Sequence, residues 1–130
     1  KIMLLDPVDV FAALQELHLL LPVPTLVIHT KDWGVVYGEN VFQYAKSLKS
    51  GITMATTRFR FGDDFSHSDY LETEGLSSDM ENLFFVAGLR QLIGEKVYCL
   101  PSFQVKEINV TNVGLGDSFV GGFLSGLVER

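Results

Sequence analysis

Four consecutive residues, Gly114-Leu115-Gly116-Asp117, carry the strongest chemical signal in this sequence. Glycines let the backbone approach a ligand closely, and the free amides and partial positive charge at a helix start favour phosphate oxygens. A carboxylate at the same point repels a bound phosphoryl group. Its presence is best explained by a proton that it receives from an attacking hydroxyl. The combination fits phosphoryl transfer to an alcohol, in which loop amides stabilise the transferring group while Asp117 orients and deprotonates the nucleophile. The plainer alternative is a tight turn whose aspartate caps a helix. Two features favour chemistry: strand, glycine loop, aspartate and helix follow in that order, and Ser118, Gly121 and Gly122 keep the first helical turns small. Small side chains admit a ligand or a neighbouring element close to the helix.

The elements that must position this loop are legible along the chain. Asp6-Pro7 followed by Val10, Phe11, Leu14 and Leu17 is an N-cap, a first-turn proline and a helical apolar spacing, which predicts a helix over about Pro7 to Leu20. Thr25 to His29 is a continuous apolar and β-branched run, as expected of a buried strand. Val35-Val36-Tyr37 is a second strand candidate that either forms a hairpin with the first or continues it. From about Asn40 the period becomes helical again, with Val41, Tyr44, Ala45, Leu48, Ile52 and Ala55 on one face. Phe61 to Gly75 has no stable period and reads as a surface loop. Ser78-Asp79-Met80-Glu81 reads as a capping box that opens a helix to about Leu92, closed by Gly94. Lys96 to Leu100 and Phe103 to Val110 read as two strands, and the last helix is expected from about Gly116 to Glu129. Strands alternating with helices predict an α/β layered fold.

Composition bounds the partners. The chain has 130 residues, 47% of them hydrophobic, with 10 basic and 16 acidic side chains and a net charge of −6. Such a chain forms a core and is one domain or part of one. The acidic balance excludes bulk phosphate neutralisation and hence a nucleic-acid partner, though a small anionic ligand needs only a local cradle. Cys99 is the single cysteine, so an intrachain disulfide is excluded and a reducing, cytoplasmic setting is expected. The apolar stretches are too short to span a membrane. The chain opens with Lys1 and shows no basic-then-apolar leader, so no secretory signal is expected and an internal starting point is.

The segment Asn112 to Phe123 resembles the GxGD signature of the ribokinase-like sugar kinases, and Val113-Gly114-Leu115-Gly116-Asp117 resembles the VGxGD loop of their ADP-dependent glucokinase and phosphofructokinase branch. Val27-Ile28-His29-Thr30 is similar to that branch's strand ending in His-Thr, and Ser47 to Arg58 to its following helix. The resemblance implies the C-terminal portion of the large domain of a three-layer α/β/α sandwich, with the sugar-binding lid outside this chain. It implies transfer of a phosphoryl group from ADP to a sugar or sugar-phosphate hydroxyl with Mg²⁺. Asp117 then matches the catalytic base, the amides of Gly114, Leu115 and Gly116 match the anion hole, and His29 and Val105 fall on the nucleotide side. Ser118-Phe119 continues as in ATP-dependent ribokinase-like kinases, which keeps ATP as the alternative donor. A non-catalytic nucleotide-binding module is the third reading. The family's acidic Asn-x-x-Glu segment does not occur here, so metal ligands are not assigned, and neither is an oligomeric state.

Other polar residues have structural explanations of comparable or greater weight. His18 sits in an apolar helical run, and His67 lies in an acidic stretch that matches no closed ligand set. His29 ends a strand, where ligand crevices of α/β folds form. Arg58 and Arg60, near Lys46 and Lys49, suit either phosphate oxygens or surface ion pairs. The aromatics Phe59, Phe61, Phe65, Phe84 and Phe85 are expected in the core.

Overall fold

A computed structural model describes residues 5–106 and 115–128 of the chain. The first helix, α1 (Pro7–Leu20), begins as its sequence dictates: the Asp6 carboxylate accepts from the amides of Val8 and Asp9, and Pro7 sits where no amide is needed. Strands β1 (Thr25–His29) and β2 (Trp33–Gly38) form an antiparallel hairpin with Val27 opposite Val36. Thr30 closes the connection, its hydroxyl accepting from the amides of Asp32 and Trp33. A 3₁₀ turn at Val41–Tyr44 leads into α2 (Ala45–Phe61), followed by α3 (His67–Glu74) and α4 (Met80–Ile93). Strand β3 (Val97–Pro101) returns antiparallel to the far side of β2, with Cys99 opposite Val35, and α5 (Leu115–Val128) is the last described element.

The sheet, ordered β1-β2-β3, is covered by helices on both faces because side chains alternate along each strand. Val35 and Tyr37 join Leu26, Val97 and Cys99 against Val10 and Leu14 of α1 and Phe85, Val86 and Leu89 of α4. Val36 faces the other way, toward Val41, then Leu48, Ile52 and Ala55 of α2 and Phe119 of α5. This is an α/β chain built on a small antiparallel sheet. Among the described residues no helix is long and apolar enough to cross a membrane.

Five expectations need correction. The stretch read as a surface loop contains α3, an eight-residue helix opened by a capping box in which Ser66 and Asp69 satisfy each other's amides. The cap of α4 is Asp79, which accepts from the amide of Asn82, while Ser78 is drawn into a bridge with Phe103. That bridge is the only ladder contact described for the expected strand from Phe103, whose residues 107–110 lie outside the described part. β1 is not a buried strand: only Leu26 is enclosed, and Val27 is 39% exposed, because the side of β1 away from β2 has no strand beside it among the described residues. Of the expected core aromatics, Phe85 is buried but Phe84 is 72% exposed.

Candidate functional site

Helix α5 meets α2 through glycine. A Cβ on Gly122 would stand 2.5 Å from the Ser50 carbonyl oxygen, and one on Gly126 would stand 2.6 Å from the Ser47 Cα. From the α2 side, a Cβ on Gly51 would meet the Phe119 ring at 2.7 Å. The two backbones therefore approach to a distance that no larger residue permits. This explains part of the small-residue pattern after the loop as helix packing rather than ligand access.

The remaining small residues have a different setting. Gly116 and Gly121 are exposed, and a Cβ at either would meet nothing within 4 Å. Asp117 lies in the first described turn of α5 and is exposed. At helical spacing it shares a face with Gly121, Leu124 and Val128, all exposed and turned away from the α2 contact. The acid thus stands on an open face with room beside it. Gly114, the first glycine of the loop, lies outside the described residues, and Leu115 is half-buried at the start of the helix.

His29 comes to the same region. A cleft of about 340 Å³ between β1 and α5 is lined by Val27, His29, Gly116, Phe119, Val120 and Phe123. The His29 ring stacks on Phe119, with 4.3 Å between centroids and 6° between planes. Burial pushes its pKa down to about 4, so at neutral pH the ring is uncharged. It offers a neutral hydrogen-bonding edge in an apolar cleft rather than a cation for phosphate. Val105, half-buried beyond the Phe103 bridge, is not among the residues that line this cleft.

The other polar candidates resolve into structural roles. His18 donates from Nε2 to the Val23 carbonyl at 2.7 Å and packs edge-on against Tyr37. Arg58 pairs with Asp63, and Arg60 reaches Thr73 Oγ1 at 3.0 Å and Glu72 at 3.5 Å, so both arginines fasten the chain after α2 back onto it. The sequence reading missed Phe119 and Phe123 as cleft residues. Their four-residue spacing was the available signal, but it is equally the spacing of a core stripe.

Comparison with solved structures follows the same geometry. A phosphofructokinase from Pyrococcus horikoshii OT3 with AMP matches 93% of the chain at 25% identity and a TM-score of 0.72. The last common ancestor of ADP-dependent phosphofructokinases from Methanosarcinales matches 95% of it at 15% identity and 0.76. An ADP-dependent kinase in complex with fructose-6-phosphate and ADPβS matches 95% at 15% identity and 0.75. The chain has the fold of one part of the ADP-dependent phosphofructokinases. It spans 29%, 30% and 32% of the length of these three structures, respectively. No family model and no curated protein sequence matches it.

Proposed function

We propose that this chain is the C-terminal part of the catalytic domain of a cytoplasmic, ribokinase-like, ADP-dependent sugar kinase of the phosphofructokinase type. The observation that carries the proposal is the placement of Asp117: exposed, in the first turn of α5, on the face away from α2, with open space at Gly116 and Gly121 beside it. The structural likeness to ADP-dependent phosphofructokinases supports the same reading. A fuller three-layer sandwich accounts for two features that the described residues leave unsatisfied. β1 has an apolar sequence and an open edge, and α5 presents Val120, Leu124 and Val128 to solvent at 55%, 54% and 86% exposure. Further strands beside β1 would bury both.

In this reading the sugar hydroxyl approaches the open face of α5 and gives its proton to Asp117 as it attacks the terminal phosphorus of ADP, and AMP leaves. The amides of Gly114, Leu115 and Gly116 hold the phosphoryl oxygens at the helix start, where the partial positive charge is greatest. Neutral His29 and the apolar wall of Phe119, Val120 and Phe123 suit the base of the nucleotide, with Val105 on the same side in sequence terms only. The resemblance implies Mg²⁺ with the diphosphate. Among the described residues no three His, Cys, Asp or Glu side chains come together as a protein metal cage, which Mg²⁺ held largely by the diphosphate and water does not require.

The test is Asp117→Asn in the complete protein, assayed with fructose 6-phosphate and either ADP or ATP. Turnover should fall by about a hundred- to ten-thousand-fold, the usual contribution of a positioned base, while nucleotide affinity stays near wild type. Unchanged turnover removes Asp117 as the base. Phosphorylation by ATP and not ADP in the wild type transfers the assignment to the ATP-dependent relatives, and titration of nucleotide without any turnover supports a binding module.

A further inference from the structure

Gly51 is the only glycine inside α2, and apart from proline no residue is less suited to a helix interior. Close packing explains it. A Cβ at this position would stand 2.7 Å and 2.8 Å from the Cε1 and Cδ1 atoms of the Phe119 ring, and 3.0 Å from the Phe119 carbonyl oxygen. Rotating the ring cannot relieve all three contacts, because the third is made by the backbone. The first turns of α5 would have to move away from α2.

The other two glycines of this contact meet different surroundings. The atoms nearest a Cβ on Gly122 are the Ser50 carbonyl oxygen, Met54 Cβ and Gly51 Cα, and those nearest one on Gly126 all belong to Ser47. They set the spacing of the two helices. Gly51 instead bears on a side chain that lines the cleft between β1 and α5. Phe119 is buried with Leu48 and Ile52, carries the His29 ring flat on its face, and has Phe123, another cleft residue, 5.9 Å away between ring centroids. A ring confined on several sides passes its displacement to its neighbours. A shift of Phe119 therefore moves the wall of the cleft and the imidazole that lines it together.

We propose that Gly51 is a positioning residue for the nucleotide base: the space left by its missing side chain seats the Phe119 ring, and through that ring sets the width of the cleft and the orientation of His29. The inference rests on the reading of this cleft as the place of the base, and it adds a residue of α2 that acts through Phe119 without touching the ligand.

The test uses the complete protein labelled with ¹³C-histidine, with ADP and fructose 6-phosphate titrated separately by calorimetry. Gly51→Ala should move the His29 resonance, identified by its loss in His29→Gln. It should weaken ADP binding by roughly tenfold or more, as small misplacements within a site do, and leave the affinity for fructose 6-phosphate unchanged. Gly126→Ala overpacks the same helix pair against Ser47, and should lower stability while the His29 resonance and ADP affinity keep their wild-type values. Phe119→Leu removes the ring edge that the Gly51→Ala methyl strikes. In that background Gly51→Ala should fold and weaken ADP no further than Phe119→Leu does by itself. A His29 resonance or ADP affinity unmoved by Gly51→Ala, an equal loss of affinity in Gly126→Ala, or an additive loss in the double variant overturns the proposal. So does failure of Phe119→Leu to restore a Gly51→Ala protein that does not fold. A wild type that binds no ADP overturns this proposal and the kinase reading together, whereas ADP binding in the expected pattern without sugar phosphorylation removes the kinase reading and leaves the role of Gly51 standing.

Discussion

The imidazole of His29 lies flat on the ring of Phe119, 4.3 Å between centroids, and so joins the end of β1 to the second turn of α5. The stack places a titratable ring in an apolar setting, and burial lowers its pKa from 6.5 to about 4. The unfolded chain therefore takes up this proton first. The stability contributed by neutral His29 is complete above pH 6.5 and is lost as the pH falls from there through about 4. Thermal unfolding of the wild type should weaken more between pH 7 and pH 4.5 than that of His29→Gln, which has no proton to gain. Parallel pH profiles for the two proteins would show that the ring is not held neutral.

Two neighbouring glycines on α5 should respond oppositely to the same substitution. Gly122→Ala drives a methyl into the Ser50 carbonyl and Met54, and overpacking of this kind costs about 1–3 kcal/mol. Gly121→Ala meets nothing within 4 Å and gains helix propensity, worth up to about 1 kcal/mol. If substrate occupies the open face beside Asp117, Gly121→Ala should nonetheless lower turnover. Urea midpoints report the first pair of effects, and steady-state kinetics on the complete protein report the last.

The legibility of the fold follows from where its signals reside. α1 could be bounded from Asp6, Pro7 and the Pro22-Pro24 stretch because caps and prolines act through local backbone chemistry. α3 escaped because HSDYLETE has three acids and no apolar stripe. Its only signal was the Ser66–Asp69 box, set in a run of glycine and aspartate. The exposure of Val27 was not legible at all, since the burial of a strand's open side depends on what lies beside it. At the site, Asp117 and Gly116 stood out only as part of a glycine-aspartate run between an expected strand and an expected helix, since an aspartate at a helix start is by itself an ordinary cap. Phe119 could not be told from a core residue, and it is one as well as a wall of the cleft. Val105 was placed by resemblance, and its surroundings in the fold give it no share of that cleft.

Among the described residues, the contact between α2 and α5 contains one unsatisfied group. Ser47 Oγ is fully buried and has no hydrogen-bond partner, whereas the buried hydroxyls of Thr53 and Thr57 on the same helix each donate to a carbonyl four residues back, at 2.7 Å. Burial of an unpaired hydroxyl costs about 1–3 kcal/mol, and its removal recovers some of that. Ser47→Ala should therefore raise stability by about 1 kcal/mol, while Thr57→Val should lower it by about 1 kcal/mol. Chemical denaturation of both variants measures the contrast. A loss in Ser47→Ala equal to that in Thr57→Val would mean that the serine hydroxyl has a partner.

Cys99 gives an independent probe of the opposite face of the sheet. Its thiol is fully buried among α1, α4 and the strands, with Sγ 3.7 Å from the Val86 carbonyl oxygen. Burial pushes its pKa up to about 11, which outweighs the opposing effect of Arg90, whose guanidinium donates to the Cys99 carbonyl at 2.7 Å. Thiolate is the reactive form, so enclosure and raised pKa both suppress reaction in the native state. At pH 8 a thiol reagent such as 5,5′-dithiobis(2-nitrobenzoate) should label Cys99 only as fast as the core opens. Leu14→Ala, which removes a side chain from the same cluster and costs about 2–5 kcal/mol, should accelerate labelling by about the factor that its measured loss of stability dictates. Rapid labelling of the folded wild type, or a rate indifferent to Leu14, would place the thiol at a surface that this packing does not provide.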